Sequence, residues 1–267
     1  MNKSLVGALL LLASATSVCA QASERSPLFT RKDAMWAGAA LLGSIALSTA
    51  DVRIAGWWND STNRTAGRDR LARNFAKAQE GTLFIGNMAL WGIGRLAKMP
   101  ALADVTFHAA EAVFVGSLAS QLIRGPLGRS RPHVSNFQDQ YDFAPFKGFR
   151  DFDHRAFPSI HTASAFAVAT IYTMETRRRA PGATWIVGPI AYALAVGPGV
   201  SRMYTGQHWA SDVLGGAFMG TFAAAKLMKY NHEVRPNNGV NRFFLGAKNV
   251  QVGVSSSGFS ATYAKQF

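Results

Sequence analysis

Three groups of residues in this chain could act together on a charged substrate. The first is Arg124-Gly-Pro-Leu-Gly-Arg-Ser-Arg131-Pro132. The second is Pro158-Ser159-Ile160-His161. The third is Ser201-Arg202, then five residues, His208, three residues and Asp212. Taken singly, each has an ordinary structural reading. A basic loop is usually solvated, a Ser before an apolar helix is usually an N-cap, and a His near a helix start is usually structural. Together their chemistry is consistent. Arg124, Arg131 and Arg202, expected in separate loops, can converge on one anion, because guanidinium groups bind phosphate oxygens in bidentate fashion and stay charged at any working pH. Ser159 and the backbone N–H groups beginning at Ile160 would point at an anion held at a helix N-terminus. His208 and Asp212 are four apart, so on a helix they share a face. The carboxylate can then accept the Nδ1–H and leave Nε2 free to attack. His161 is the second histidine, placed to protonate a leaving oxygen.

Six apolar, helix-like segments would have to position these groups. They run over about 34–50, 82–97, 104–123, 162–176, 183–196 and 209–230, with Pro100, Pro126, Pro181 and Pro198 punctuating the gaps. The expected fold is an all-α bundle with a long functional loop between the third and fourth segments. The third segment carries His108 and Glu111, which would be costly facing lipid. Between Asp51 and Glu80 the chain is polar and basic. Arg68, Arg70, Arg73 and Lys77 fall at helical spacing beside Leu71 and Phe75, as on an amphipathic surface helix. The tail alternates Val250, Val252 and Val254, then Phe259, Ala261 and Tyr263 around Ser-Ser-Ser-Gly, which predicts a short β-hairpin.

The three groups resemble the motifs of the type 2 phosphatidic acid phosphatase (PAP2) superfamily, which also includes bacterial class A acid phosphatases and vanadium haloperoxidases. That pattern is Lys, six residues, Arg-Pro; then Pro-Ser-Gly-His; then Ser-Arg, five residues, His, three residues, Asp. The third motif matches at every fixed position. The chain departs at Arg124, where the family usually has Lys, and at Ile160, where it often has Gly. A planar fork replaces a point charge at the first site, and a β-branched residue would be strained at the second if φ > 0 were required. The resemblance implies a PAP2-type bundle of about six core helices. It implies that Arg124, Arg131, Arg202, Ser159 and the Ile160 N–H bind phosphate. It further implies that His161 is the general acid, His208 the nucleophile and Asp212 its orienting partner, with no metal and no cofactor. The expected activity is hydrolysis of a phosphomonoester or lipid (pyro)phosphate through a phosphohistidine. The same pocket would serve a vanadate-dependent haloperoxidase or a non-catalytic lipid-phosphate-binding protein. His108, His133, His154 and His232 lie outside the motifs and read as bystanders.

Composition bounds the setting. The formal net charge is +13, which favours anionic encounters. The expected partners are a phosphorylated small-molecule or lipid substrate and an anionic membrane surface, with no nucleic acid. Residues 1–20 read as a signal peptide: Lys3, an apolar run from Leu5 to Ala15, and Val18-Cys19-Ala20 as cleavage site. Cys19 is the only cysteine, so a cleaved chain has neither disulfides nor a thiolate metal site. Residues 21–248 are then the phosphatase domain and 249–267 a strand-like tail. A signal peptide and a full six-span topology disagree in parity, and Arg177-Arg178-Arg179 suits a cytoplasmic turn while the basic segment 51–80 would fall outside. An exported periplasmic domain resting on a membrane is the expectation, with a six-span inner-membrane protein as the alternative.

Overall fold

The structure, a computed structural model, describes residues 27–236 and 238–246 and the backbone of 250–255 and 258–263. The expected signal peptide lies outside the described residues. Nine α-helices follow in order among them: α1 Arg31–Ser48, α2 Asp51–Asn59, α3 Ala66–Phe75, α4 Glu80–Leu96, α5 Pro100–Leu127, α6 Ile160–Arg179, α7 Thr184–Tyr204, α8 Ala210–Lys229 and α9 Gly239–Leu245. A π-helical turn, Tyr230–Val234, extends α8. In the tail, the backbone of β1 (Val250–Ser255) pairs antiparallel with β2 (Gly258–Tyr263).

The chemistry of the helix ends explains where they fall. Pro100 opens α5 at its first turn, where its missing N–H costs nothing, and Gly128 closes it in the left-handed region at φ 62°. A Cβ on Gly128 would lie 1.8 Å from the Ala144 carbonyl oxygen, so only glycine fits. The third and fifth apolar segments become longer helices than the pattern predicts. Helix α5 carries Pro126 in its last turn, and α7 runs through Pro189 and Pro198. The basic stretch resolves into α2 and α3, and α3 is capped by the Thr65 hydroxyl, which accepts from the Arg68 N–H at 3.2 Å.

Helices α6 and α8 pack closely along the middle of the bundle. A Cβ on Gly216 would meet the Ser159 carbonyl oxygen at 2.4 Å, and one on Gly220 would meet that of Ala163 at 1.9 Å. Two glycines four apart thus let the helix backbones touch. Alanine dominates the buried apolar residues, as in the cluster of Ala109, Ala112, Ala167, Ile171, Ala224 and Leu227. The large apolar side chains point outward instead: Trp36 is 68% exposed, Ile85 68%, Leu122 68% and Trp185 86%. Exposed apolar area on this scale has no place in water and marks a membrane or a partner. Helices α5 and α7 are long and apolar enough to cross a bilayer, and α1 with α2, bent by 57°, make a third candidate. Membrane association is the part of the expected localisation that these helices support.

Candidate active site

All eight residues singled out in the sequence lie at one end of the bundle. Arg124 sits on the last turn of α5 and Arg202 on the last turn of α7. Only Arg131 is in a loop, so the expectation of three loop arginines is corrected: two are held on helix C-termini. Ser159 is the N-cap of α6, and its hydroxyl accepts from the Thr162 N–H at 3.4 Å and the Thr162 hydroxyl at 3.0 Å. Ile160 is the first residue of α6 and is not among the residues with positive φ, so its side chain imposes no backbone strain. His161 follows it, and Asp212 lies in the first turn of α8.

Backbone bonds lock the three motifs to one another. The Ser159 N–H donates to the Asp212 carbonyl at 3.0 Å, and the Ala156 N–H to the Arg129 carbonyl at 3.0 Å. The fully buried Trp209 indole donates to the Ser130 carbonyl at 3.0 Å. Phe157–Pro158, which leads into α6, is a cis peptide.

The pocket holds an excess of donors. Arg124, Arg131, Ser159, His161 and His208 are buried. The Nε atoms of Arg124 and Arg202 and Nδ1 of His161 meet no protein partner, and the His208 ring makes no well-formed hydrogen bond, with only the Ala156 backbone near enough for a weak one. Buried polar atoms are rarely left this way, and their concentration around one point is the mark of a binding site. Arg131 is anchored from the side: its Nε donates to the Phe152 carbonyl at 3.1 Å and its guanidinium lies 3.9 Å from the Phe152 ring centre. The Gln207 amide oxygen accepts from both Arg131 and Arg202, the latter at 3.1 Å, as an oxygen shared between two guanidinium groups. Burial, then Arg202 and Arg124, push Arg131 down to about 10, so it stays charged at neutral pH. Burial first, and then Arg131, Arg202 and Arg124, hold His208 well below the ordinary histidine range, which keeps its imidazole neutral.

Asp212 differs from the simple picture of a carboxylate bonded to the histidine. Its Oδ2 lies 3.7 Å from His208 Nδ1, too long for a hydrogen bond, and instead accepts the Trp209 N–H at 2.8 Å. Its Oδ1 accepts from Arg129 Nη1 at 2.5 Å. Arg129 Nη2 reaches Asp51 Oδ2 at 2.9 Å, and Asp51 also accepts from the Ser211 N–H at 2.9 Å and from the Ser211 hydroxyl. Sequence reasoning missed Arg129, Asp51 and Ser211. Arg129 lay in view inside the first motif, whereas Asp51 is far away in the chain and only the fold brings it in. It also missed Glu80, at the start of α4, whose Oε2 is 3.9 Å from His161 Nδ1; both atoms are buried without a hydrogen-bond partner.

Comparison with known proteins is consistent with this geometry. The family model described as PAP2 superfamily matches residues 106–236. A lipid A 1-phosphatase of Porphyromonas gingivalis is 45% identical over 65 residues, 24% of this chain and 14% of that protein. One from Rhizobium etli is 32% identical over 119 residues, covering 44% of this chain and 47% of the relative. The match to one from Rhizobium johnstonii is 32% over 110 residues, 41% of each. The chain thus spans less than half the length of each of these relatives. Among solved structures, a transmembrane PAP2-type phosphatidylglycerolphosphate phosphatase from Bacillus subtilis superposes with a TM-score of 0.56 at 19% identity, covering 76% of this chain and 98% of that one, which speaks to the fold. With the three motifs and the match through 106–236 in agreement, that segment, which holds every residue of the three motifs, belongs to the PAP2 superfamily.

Proposed function

We propose that this protein is a membrane-embedded lipid phosphatase that removes a phosphate group from a phospholipid or glycolipid through a phosphohistidine on His208. The observation that carries the reading is the cluster of buried donors without well-formed hydrogen bonds contributed by Arg124, Arg202, His161 and His208. Such a cluster suits a phosphoryl group, whose oxygens accept several bonds at once.

In this reading the Nε2 lone pair of His208 attacks phosphorus, and the bond from phosphorus to the lipid oxygen breaks. Burial, then Arg202, His208, Arg124 and Arg131, hold His161 down to about 3 in the free enzyme, so it takes up a proton only as the bound phosphate offsets the arginines, and gives that proton to the leaving oxygen. Water then attacks the phosphohistidine and passes a proton to His161, which releases inorganic phosphate and restores both imidazoles. Arg124, Arg131 and Arg202 balance the charge that gathers on the equatorial oxygens, with the N-terminus of α6 behind them. Asp212 orients the His208 segment by capping α8 and binding Arg129, and Glu80 is the carboxylate suited to hold His161.

Lipid as substrate is supported by the outward apolar side chains and by the loop over the site. Tyr141, Phe143, Phe146, Phe149 and Phe152 are 43–68% exposed, an arrangement that favours an apolar phase over loop packing. An apolar cleft of ≈ 290 Å³ between Leu41, Ile45, Tyr141, Phe143 and Phe157 backs onto Arg129 and Ser211 and has the character of an acyl-chain groove. The relatives named lipid A 1-phosphatase point to a phosphorylated saccharolipid as the first candidate. We place the site end on the periplasmic side, opposite Arg177-Arg178-Arg179 at the far end of α6.

The test is phosphate release by the purified chain in detergent with a chelator present. The substrates are a lipid A 1-phosphate, phosphatidic acid, a polyprenyl pyrophosphate and a soluble aryl phosphate, each beside His208→Ala. Turnover of a lipid substrate by the wild type alone supports the reading. Preference for the aryl phosphate removes the lipid assignment, and turnover by His208→Ala removes the mechanism.

A further inference from the structure

His108 and His232 take no part in the motifs, yet the fold brings them together. His108 lies on α5, Glu175 on α6 and His232 in the π-helical turn after α8. Sixteen residues of α5 separate His108 from Arg124, so this cluster is about 24 Å from the phosphate pocket. His108 and Glu175 are fully buried, and the His232 side chain is 17% exposed.

The two rings converge on one oxygen. His108 Nδ1 is 3.3 Å from Glu175 Oε1, and His232 Nε2 is 2.8 Å from the same atom. The ring centres are 5.3 Å apart and the planes stand at 83°. These are close to the dimensions of a tetrahedral metal centre. Ligand atoms held 2.0–2.1 Å from a cation lie about 3.3 Å from one another, and two imidazoles so bound have ring centres about 5 Å apart. The other carboxylate oxygen is already fixed. Glu175 Oε2 accepts from Arg178 Nη2 at 2.7 Å and Arg179 Nε at 2.9 Å, which turns Oε1 toward the histidines as an outer-shell partner does. Arg179 also pairs with Asp104 at 2.7 Å, and Glu111 stands one turn along α5 from His108, so carboxylates offset the local guanidinium charge. His108 Nε2 is buried without a protein partner, so a ring desolvated on both sides is compensated by one long hydrogen bond. Coordination at Nδ1 compensates it better.

We infer that His108, Glu175 and His232 form a binding site for one divalent transition-metal ion, zinc being the best chemical fit. Two imidazole nitrogens and one carboxylate oxygen suit zinc-like ions, whereas magnesium and calcium favour all-oxygen sets. The ring nitrogens that face Oε1 bind the metal through their lone pairs, each neutral imidazole keeping its proton on the other nitrogen and any displaced proton passing to water, and water fills the fourth position. The ion joins α5, α6 and the segment after α8 at the end of the bundle away from the phosphate pocket. Its role is stability rather than catalysis.

The experiment uses the tag-free full chain in detergent, stripped of metal and titrated with Co²⁺ as a spectroscopic stand-in. The expected result is a saturable visible absorption of a four-coordinate site at one ion per chain, bleached by Zn²⁺, with Zn²⁺ raising Tm by several degrees. His232→Ala and His108→Gln lose the band and the Tm response, while phosphate release by His232→Ala is unchanged. No saturable band in the wild type overturns the inference, and so does a band undiminished in both variants. If neither variant folds, the wild-type titration alone decides.

Discussion

At one end of the bundle, two histidines share a pocket with three arginines, and neither the His208 ring nor His161 Nδ1 makes a well-formed hydrogen bond to the protein. At the other end, two histidines face one carboxylate oxygen and the remaining oxygen is held by two arginines. The residue types are nearly the same, but the balance of donors and acceptors is opposite. Surplus donors suit an anion, while two imidazoles converging on one carboxylate oxygen are the set inferred to take a cation. Counting histidines does not separate the two ends; asking where each buried nitrogen finds its partner does.

That contrast can be broken by substitution. The largest effect is expected at Arg202, whose Nε has no protein partner and whose Nη2 shares the Gln207 oxygen with Arg131. Arg202→Ala should lower kcat/KM by about 10²–10³-fold, the scale of one lost oxyanion donor, with Tm unchanged or raised as cation crowding falls. A large Tm loss with activity intact would mean that Arg202 is structural.

A smaller effect on turnover but a larger one on stability is expected at Arg129, which is fully paired. Arg129→Met leaves Asp51 and Asp212 buried without their cation. Breaking such a pair costs about 3–5 kcal/mol, read from the denaturation midpoint. Adding Asp51→Asn should restore part of that loss. If the double variant is no better than the single one, the carboxylates are not the strained partners.

The smallest effect is in pH. His208 is held below the ordinary histidine range by burial and by three arginines. Its neutral, attacking form therefore persists as pH falls through 6.5 in the free enzyme, and kcat/KM should keep its His208-dependent activity below that point. The sign for stability is opposite to that of a paired histidine. Below the ordinary imidazole value the unfolded chain takes up a proton that folded His208 refuses, so stability falls as pH drops toward the depressed value. A kcat/KM profile that loses activity at the ordinary histidine pKa, in a variant series that tracks His208, would contradict the neutral-nucleophile account.

Much of the site was readable from spacing, because its parts sit at helix ends whose signals are local. The Ser159 cap, the first turn carrying His161, and the one-turn separation of His208 and Asp212 need only a few residues to be seen. What the spacing could not tell was the partner of Asp212. A carboxylate one turn from a histidine suggests a direct bond, yet Trp209 N–H and Arg129 compete for it more closely. Asp51 joins this network from 160 residues away, and no local pattern encodes such a contact. The helices were legible as apolar runs, but α5 and α7 extend past Pro126 and Pro198, which were expected to lie in the gaps: Pro126 falls in a terminal turn, and Pro198 sits inside an apolar bundle helix that also runs through Pro189. The outward direction of the large side chains was also hidden. Composition gives how much apolar surface there is, and only the packing of alanine against glycine inside shows that the rest faces outward. His108 and His232 read as bystanders for a similar reason: they meet only in three dimensions.

The central claim is that His208 carries the phosphoryl group. It is tested most directly by mixing the chain with a lipid phosphate labelled in the phosphoryl group, quenching within a turnover, and mapping the adduct by mass spectrometry under alkaline conditions that preserve phosphohistidine. The account predicts one alkali-stable, acid-labile phosphoryl group on His208 in the wild type, a longer-lived adduct when His161 is replaced by Ala and a good leaving group is used, and none in His208→Ala. Turnover by wild type with no adduct on His208, or an adduct on another residue that survives in His208→Ala, would contradict it.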